Sequence, residues 1–257
     1  MYQHLQVTTV ERATSVNLHR PERRNGLGVS IGRELNHFLS KFKSETDCIL
    51  DRSDSITTAR ALFITATSNN GTWIAGGDLK ELSNFNGLEL SEYIDLWTQN
   101  CELLQSILVP TIAIIDGKCI GGATEFALSA DFRLMTRDSS FSFKQIPVGL
   151  PFGYGTTALM CRHFGEGRAR SLILLGKDLS ASELFDLGVA EKLASKENLA
   201  QERETLFKKI EALSHHAIAC QKTMFLESNA LNQKKHFMTA WRNPYHNRFL
   251  EQFKKIK

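Results

Sequence analysis

The chain has 257 residues, 42% hydrophobic and 23% charged, the composition of a soluble globular protein with enough length to bury a sizeable core. A formal charge of +3 is too small to imply nucleic acid by itself, no stretch approaches the ~18 apolar residues of a membrane span, and the N-terminus lacks a signal-peptide pattern. Five scattered cysteines without a C-x-x-C pair argue against a disulfide framework or a metal site and for a reducing, cytoplasmic setting.

In chain order, residues 2–9 and 13–19 alternate β-branched and polar positions around Glu11-Arg12 and predict a hairpin. The loop HRPERRNG follows, carrying Arg20, Arg23 and Arg24. A helix is expected over Val29–Phe42, with Ile31, Leu35, Phe38, Leu39 and Phe42 on one face. Residues 44–60 are polar and predict a surface connection, and ALFITA (61–66) predicts a buried strand. In TWIAGGDLKEL (72–82) an apolar piece meets Gly76-Gly77, and Asp78 is placed to cap a helix. An amphipathic helix is expected over 91–108, ended by Pro110, and a strand over 111–115.

That strand opens the central stretch, IAIIDGKCIGGATEFALSAD (112–131). Strand, turn, glycines and helix follow one another, an order that exposes backbone N–H groups at a bend. Glycine brings an N–H close to a ligand because no Cβ intervenes. Such a place can hold an anion, or an oxygen that becomes one during a reaction, and Glu125 stands ready beside it to move a proton. Glycine pairs also serve tight packing alone, and a first-turn glutamate also complements a helix dipole; both readings stay open at this point.

Short strands are expected at 132–135 and 141–143, then a Gly/Pro-rich loop over 146–157. The remainder reads as helical, at 155–164, 167–175, 181–187, 197–213, 215–230 and 234–253. The composition shift near Gly188 divides the chain into an α/β core, 1–188, and a helical region, 189–257. Two motif matches fail on context. Gly28-Val-Ser30-Ile-Gly32 fits G-x-S-x-G but follows a charged loop rather than a strand, and Gly153-Tyr-Gly155 begins a dinucleotide-like fingerprint after Pro151-Phe152. His215-His216 are adjacent and face different sides, so no metal site is read there.

With both glycine stretches in view, the chain resembles the crotonase (enoyl-CoA hydratase/isomerase) superfamily. Five segments carry the resemblance in order: LHRPERRNGL, WIAGGDLKEL, IDGKCIGGATEFALSADFRL, FSFKQIPVGLPFGYGTTAL and RFLEQFKKIK. It implies an α/β fold, a spiral of ββα units with a C-terminal helical trimerisation region that also closes the active site, assembled as a trimer or hexamer. It implies no bound cofactor, coenzyme A entering as part of the substrate, and neither nucleic acid nor membrane as partner.

By the same resemblance the Gly77 and Gly122 N–H groups form an oxyanion hole. Ala75, Asp78, Leu79 and Lys80 line the ligand, and Arg23 and Arg24 stand near the nucleotide phosphates. Glu125 matches the first catalytic glutamate, whereas the position of the second is Gln145, which orients water but cannot ionise. Hydration of a 2-enoyl-CoA, as in fatty acid metabolism, is the leading expectation. Isomerisation, decarboxylation on coenzyme A or a carrier protein, and non-catalytic acyl-CoA binding are the alternatives. Bulky walls for the acyl group are expected at Phe85, Trp97, Pro151 and Phe152.

Overall fold

The computed structural model describes residues 2–50, 59–67, 70–226 and 229–254. Two sheets organise it. The larger has six strands in the order β1 (Leu5–Val10), β2 (Ala13–Leu18), β3 (Ala61–Ala66), β5 (Thr111–Ile115), β7 (Phe132–Thr136) and β10 (Lys192–Ala194). The smaller runs β4 (Thr72–Ile74), β6 (Lys118–Ile120), β8 (Ser140–Ser142) and β9 (Asp178–Ser180). Each of β3, β5 and β7 is followed by a short strand in the second sheet, so the chain spirals between the sheets. Pairing is parallel except in the β1–β2 hairpin and between β8 and β9. β5, TIAII, is buried at every position, as expected of a central parallel strand covered on both faces.

The helices are α1 (Val29–Asp47), α2 (Leu79–Leu82), α3 (Gly87–Ser106), α4 (Gly122–Leu128), α5 (Thr157–Phe164), α6 (Glu166–Leu174), α7 (Ala181–Asp186), α8 (Leu199–Glu211), α9 (His215–Leu226), α10 (Ala230–Trp241) and α11 (Pro244–Lys254). α1 packs along α3, and their close approach explains Gly32: a Cβ there would stand 2.9 Å from Leu96 and 3.2 Å from Trp97. Gly32 is therefore a packing residue, and Ser30 lies exposed in the first turn of α1, away from any strand.

Several expectations change. Residues 44–47, read as a polar connection, continue α1, because the Thr46 hydroxyl donates to the Phe42 carbonyl and Lys43 pairs with Asp47 one turn on. Cys48–Leu50 add a 3-10 turn, and residues 51–58 of that connection lie outside the described residues. α3 begins at Gly87 rather than 91, since Asn86 and Glu89 form a reciprocal capping box. The last expected helix divides at Arg242-Asn243, where Pro244 cannot extend α10 and the Asn243 side chain accepts from the Tyr245 N–H to start α11. The strands β9 and β10 interrupt the helical remainder, and β10, beyond Gly188, pairs with β7 in the main sheet.

Candidate active site

β4 and β6 lie side by side in parallel, so the bends that follow them meet. Gly76 and Gly121 have φ of +86° and +55°, and a Cβ on Gly76 would stand 3.5 Å from the Gly122 nitrogen and 2.6 Å from the Ile120 carbonyl oxygen. Two glycine bends can approach this closely because they carry no side chain. Among the described residues, neither the Gly77 nor the Gly122 N–H has a hydrogen-bond acceptor. The first bend is anchored by the Arg-rich loop, with the Leu27 N–H donating to the Gly76 carbonyl at 2.7 Å and the Asp78 N–H to the Leu27 carbonyl at 3.2 Å. Buried Asn25 fastens that loop, its side chain donating to the Thr67 and Trp73 carbonyls and accepting from the Arg20 N–H.

α4 carries Glu125 into the interior. Its far end is held by buried Arg133, whose guanidinium donates to the carbonyls of Ala127, Ala130 and Asp131 on that turn and to Val189. These carbonyls would otherwise be unsatisfied at the helix terminus. Glu125 is 1% exposed, and four donors converge on its carboxylate. Gln145 Nε2 and the Gly153 N–H reach Oε1 at 3.2 and 3.3 Å; the Tyr154 N–H and the Thr156 hydroxyl reach Oε2 at 3.0 and 2.7 Å. Burial raises the Glu125 pKa above its ordinary value, and these four hydrogen bonds, favouring the charged form, draw it part of the way back. Gln145 keeps its Oε1 buried with no hydrogen-bond partner among the described residues.

A tyrosine pair faces the glycines. A Cβ on Gly122 would stand 2.6 Å from the Tyr154 ring, and one on Gly77 would stand 3.1 Å from the Tyr93 oxygen and 3.9 Å from that of Tyr154. The two phenol oxygens are 2.5 Å apart, and Tyr93 donates to the Leu27 carbonyl at 2.9 Å. Tyr154 also stacks on Trp97, which meets Phe126 edge-on.

The structure thus brings together Gly77, Gly122, Glu125 and Gln145. The other candidates are arranged around them differently. Asp78 is buried, caps α2 by accepting from the Glu81 N–H, and pairs with Arg20 at 3.2 Å. Ala75 is half-buried, its N–H donating to the Arg24 carbonyl, while Leu79 and Lys80 are exposed on α2. Arg24 is exposed and Arg23 half-buried. Of the expected acyl walls, Trp97 touches the site through Tyr154 and Phe85 through Tyr93, whereas Phe152 stacks on Phe143 and Pro151 is exposed. Sequence reading missed Tyr93, Tyr154 and Thr156. The signal within reach was Tyr154 between Gly153 and Gly155, seen only as part of an unsuitable fingerprint.

Comparison with known proteins bears on the family and the fold. The family profile described as Enoyl-CoA hydratase/isomerase matches residues 10–254. The chain is 31% identical over 178 residues to an enoyl-CoA isomerase/hydratase of Mycosarcoma maydis, covering 69% of this chain and 63% of that protein. It is 28% identical over 161 residues to a crotonyl-CoA hydratase of Syntrophomonas wolfei, covering 61% and 62%. The match spans less than two thirds of either relative's length. Among solved structures, an enoyl-CoA hydratase from Bacillus anthracis superimposes with a TM-score of 0.87 over 99% of this chain and 97% of that one, at 23% identity. At that identity the likeness shows the fold.

Proposed function

This chain belongs to the enoyl-CoA hydratase/isomerase family, and on that premise we propose that it acts on an acyl-CoA thioester through an enolate, with Glu125 as its one acid–base. The observation that carries the reading is a buried carboxylate of raised pKa beside two N–H groups that have no acceptor among the described residues. The thioester carbonyl oxygen takes the Gly77 and Gly122 N–H groups, which bear its charge as the enolate forms. Ala75, Leu79 and Lys80 flank the bound ligand beside that bend, and Asp78 shapes it from within. Arg23 and Arg24, on the adjoining loop, meet the phosphates of coenzyme A.

Hydration of a 2-enoyl-CoA is the reaction we put first. Gln145 donates to Glu125 and keeps a buried acceptor free, so a water can donate one O–H to Gln145 Oε1 and, by displacing the 3.3 Å Gly153 contact, the other to Glu125 Oε1. Glu125 then takes the water's proton as oxygen adds to the β-carbon, and returns a proton to the α-carbon. Double-bond isomerisation is the second reading, favoured by the single carboxylate, which suffices to carry a proton from one carbon to another.

Mixing the protein with crotonyl-CoA tests both readings. Loss of the conjugated-thioester absorbance with the mass gain of one water supports hydration. No loss, together with conversion of a 3-enoyl-CoA to an absorbing isomer of equal mass, replaces it with isomerisation. Glu125→Gln is expected to abolish either reaction while leaving acyl-CoA binding intact, and unchanged turnover would remove Glu125 from the mechanism.

Residues 1–188 supply this site, and we assign 189–257 chiefly to assembly as a homotrimer or hexamer. Phe225, Leu231, Phe237, Trp241 and Phe249 are exposed on α9–α11, a concentration of apolar surface suited to burial between copies. Sedimentation of a monomer at micromolar concentration would argue against it. The five cysteines are free thiols, which suits the reducing cytoplasm proposed for it.

A further inference from the structure

We propose that Tyr154 sets the size of the acyl group, restricting this protein to thioesters of short acyl chains; the inference rests on the thioester reading above. The Tyr154 N–H donates to Glu125 while its ring lies against Gly122, so the side chain spans the space between the acid–base and the carbonyl-binding glycine. The carbons next to a thioester carbonyl must enter that same space. Their partner there is a ring already held on several sides. Trp97 stacks on it at 5.9 Å between centroids, and Tyr93 meets it edge-on at 6.2 Å.

The hydrogen-bond directions add to the hold. The Leu27 carbonyl can only accept, so Tyr93 must donate to it, and Tyr154 in turn must donate to Tyr93. Swinging Tyr154 fully out of the interior would leave the Tyr93 oxygen buried without its donor. A small displacement, enough for two to four carbons beyond the sulfur, keeps most of this packing. A long chain would need the ring removed.

The cavity on the other side of Tyr93 leads to the same conclusion. It measures about 560 Å³ between α1 and α3, and its lining includes Glu81, Glu89, Glu92 and Asp95 against the single cation Arg33. Val29, Phe85 and Leu96 also line it, so an aliphatic chain pushed past the tyrosine pair would meet apolar wall only in patches between carboxylates.

Calorimetric titration of the 257-residue protein with coenzyme A, butyryl-CoA and octanoyl-CoA reads the proposal directly. Butyryl-CoA is expected to bind at least about tenfold more tightly than octanoyl-CoA, the cost of overfilling a packed site. Tyr154→Ala is expected to bring the two affinities together or invert them, while Tyr154→Phe, which keeps the ring, preserves the wild-type order. Tyr154→Leu supplies the same readout where the alanine variant does not fold. Equal affinities in the wild type, or an unchanged ratio on removal of the ring, would overturn the proposal while leaving the thioester reading in place. Failure of coenzyme A and of both thioesters to bind would defeat that reading and this inference with it.

Discussion

At Gly76-Gly77 and again at Gly121-Gly122 the chain leaves a three-residue strand, turns through a glycine of positive φ, and enters a helix with an uncommitted N–H. The first bend continues into α2, four residues long, with Leu79 and Lys80 exposed; the second continues into α4, whose Ala123 to Leu128 are all buried. The same backbone device is thus an edge in one place and a core element in the other. The core copy holds Glu125 with a raised pKa and four fixed donors, whereas the buried carboxylate after the edge copy, Asp78, is paired with Arg20. The edge copy is suited to a ligand that must come and go.

The surroundings of the four glycines differ as well, and substitution exposes the difference. Gly76→Ala is the most severe, because a Cβ would stand 2.6 Å from the Ile120 backbone oxygen at φ +86°. Left-handed strain and overpacking together are expected to cost about 3 kcal/mol, read as a lower urea midpoint. A loss below about 1 kcal/mol would show that the two bends are not rigidly apposed. Next is Gly122→Ala, where the new methyl meets the Tyr154 ring rather than a flexible chain end. Displacement of the donor is expected to lower turnover of a 2-enoyl-CoA by about two orders of magnitude. Gly77→Ala, facing Leu82 and the Tyr93 hydroxyl, should be milder in the same assay.

A smaller effect, and one that bears on the carboxylate, comes from Thr156→Val. It removes the 2.7 Å hydroxyl donor to Glu125, and with it a bond that lowers the pKa. A base must be ionised, so activity is present above the raised pKa and lost as pH falls through it. The acidic limb of the pH–rate profile should therefore move to higher pH in the variant. Stability has the opposite sign. With the folded-state pKa above the ordinary carboxylate value, the protonated carboxyl contributes stability in full below that ordinary value, and this is lost as pH rises through the raised one. An unmoved limb would detach Glu125 from the rate. Gly121→Ala meets no atom within 4 Å of the added Cβ, so its cost is backbone strain alone, at φ +55° and ψ −125°, about 2 kcal/mol by denaturation.

What could be read from the chain follows from how local the cause is. The strands at 61–66 and 111–115 are runs of apolar residues long enough to announce themselves, and Asp78 caps its helix from its own neighbourhood. β9 and β10 are three residues each, too short for a period, and owe their existence to partners at 140–142 and 134–136. The partly buried Lys222–Asp131 pair, joining α9 to the turn after α4, was equally silent, since it closes over 91 residues.

Residue identity and short spacing were enough to read the family, the order of the glycine bends, the presence of Glu125 and the glutamine at position 145. The tertiary structure alone decided that Tyr93 and Tyr154, 61 residues apart, meet over those glycines, and that Thr156, Gly153 and Tyr154 supply the donors around Glu125. A hydrogen bond between distant residues leaves no periodic trace in the chain. It exists only once the core has fixed where two unrelated loops come to rest.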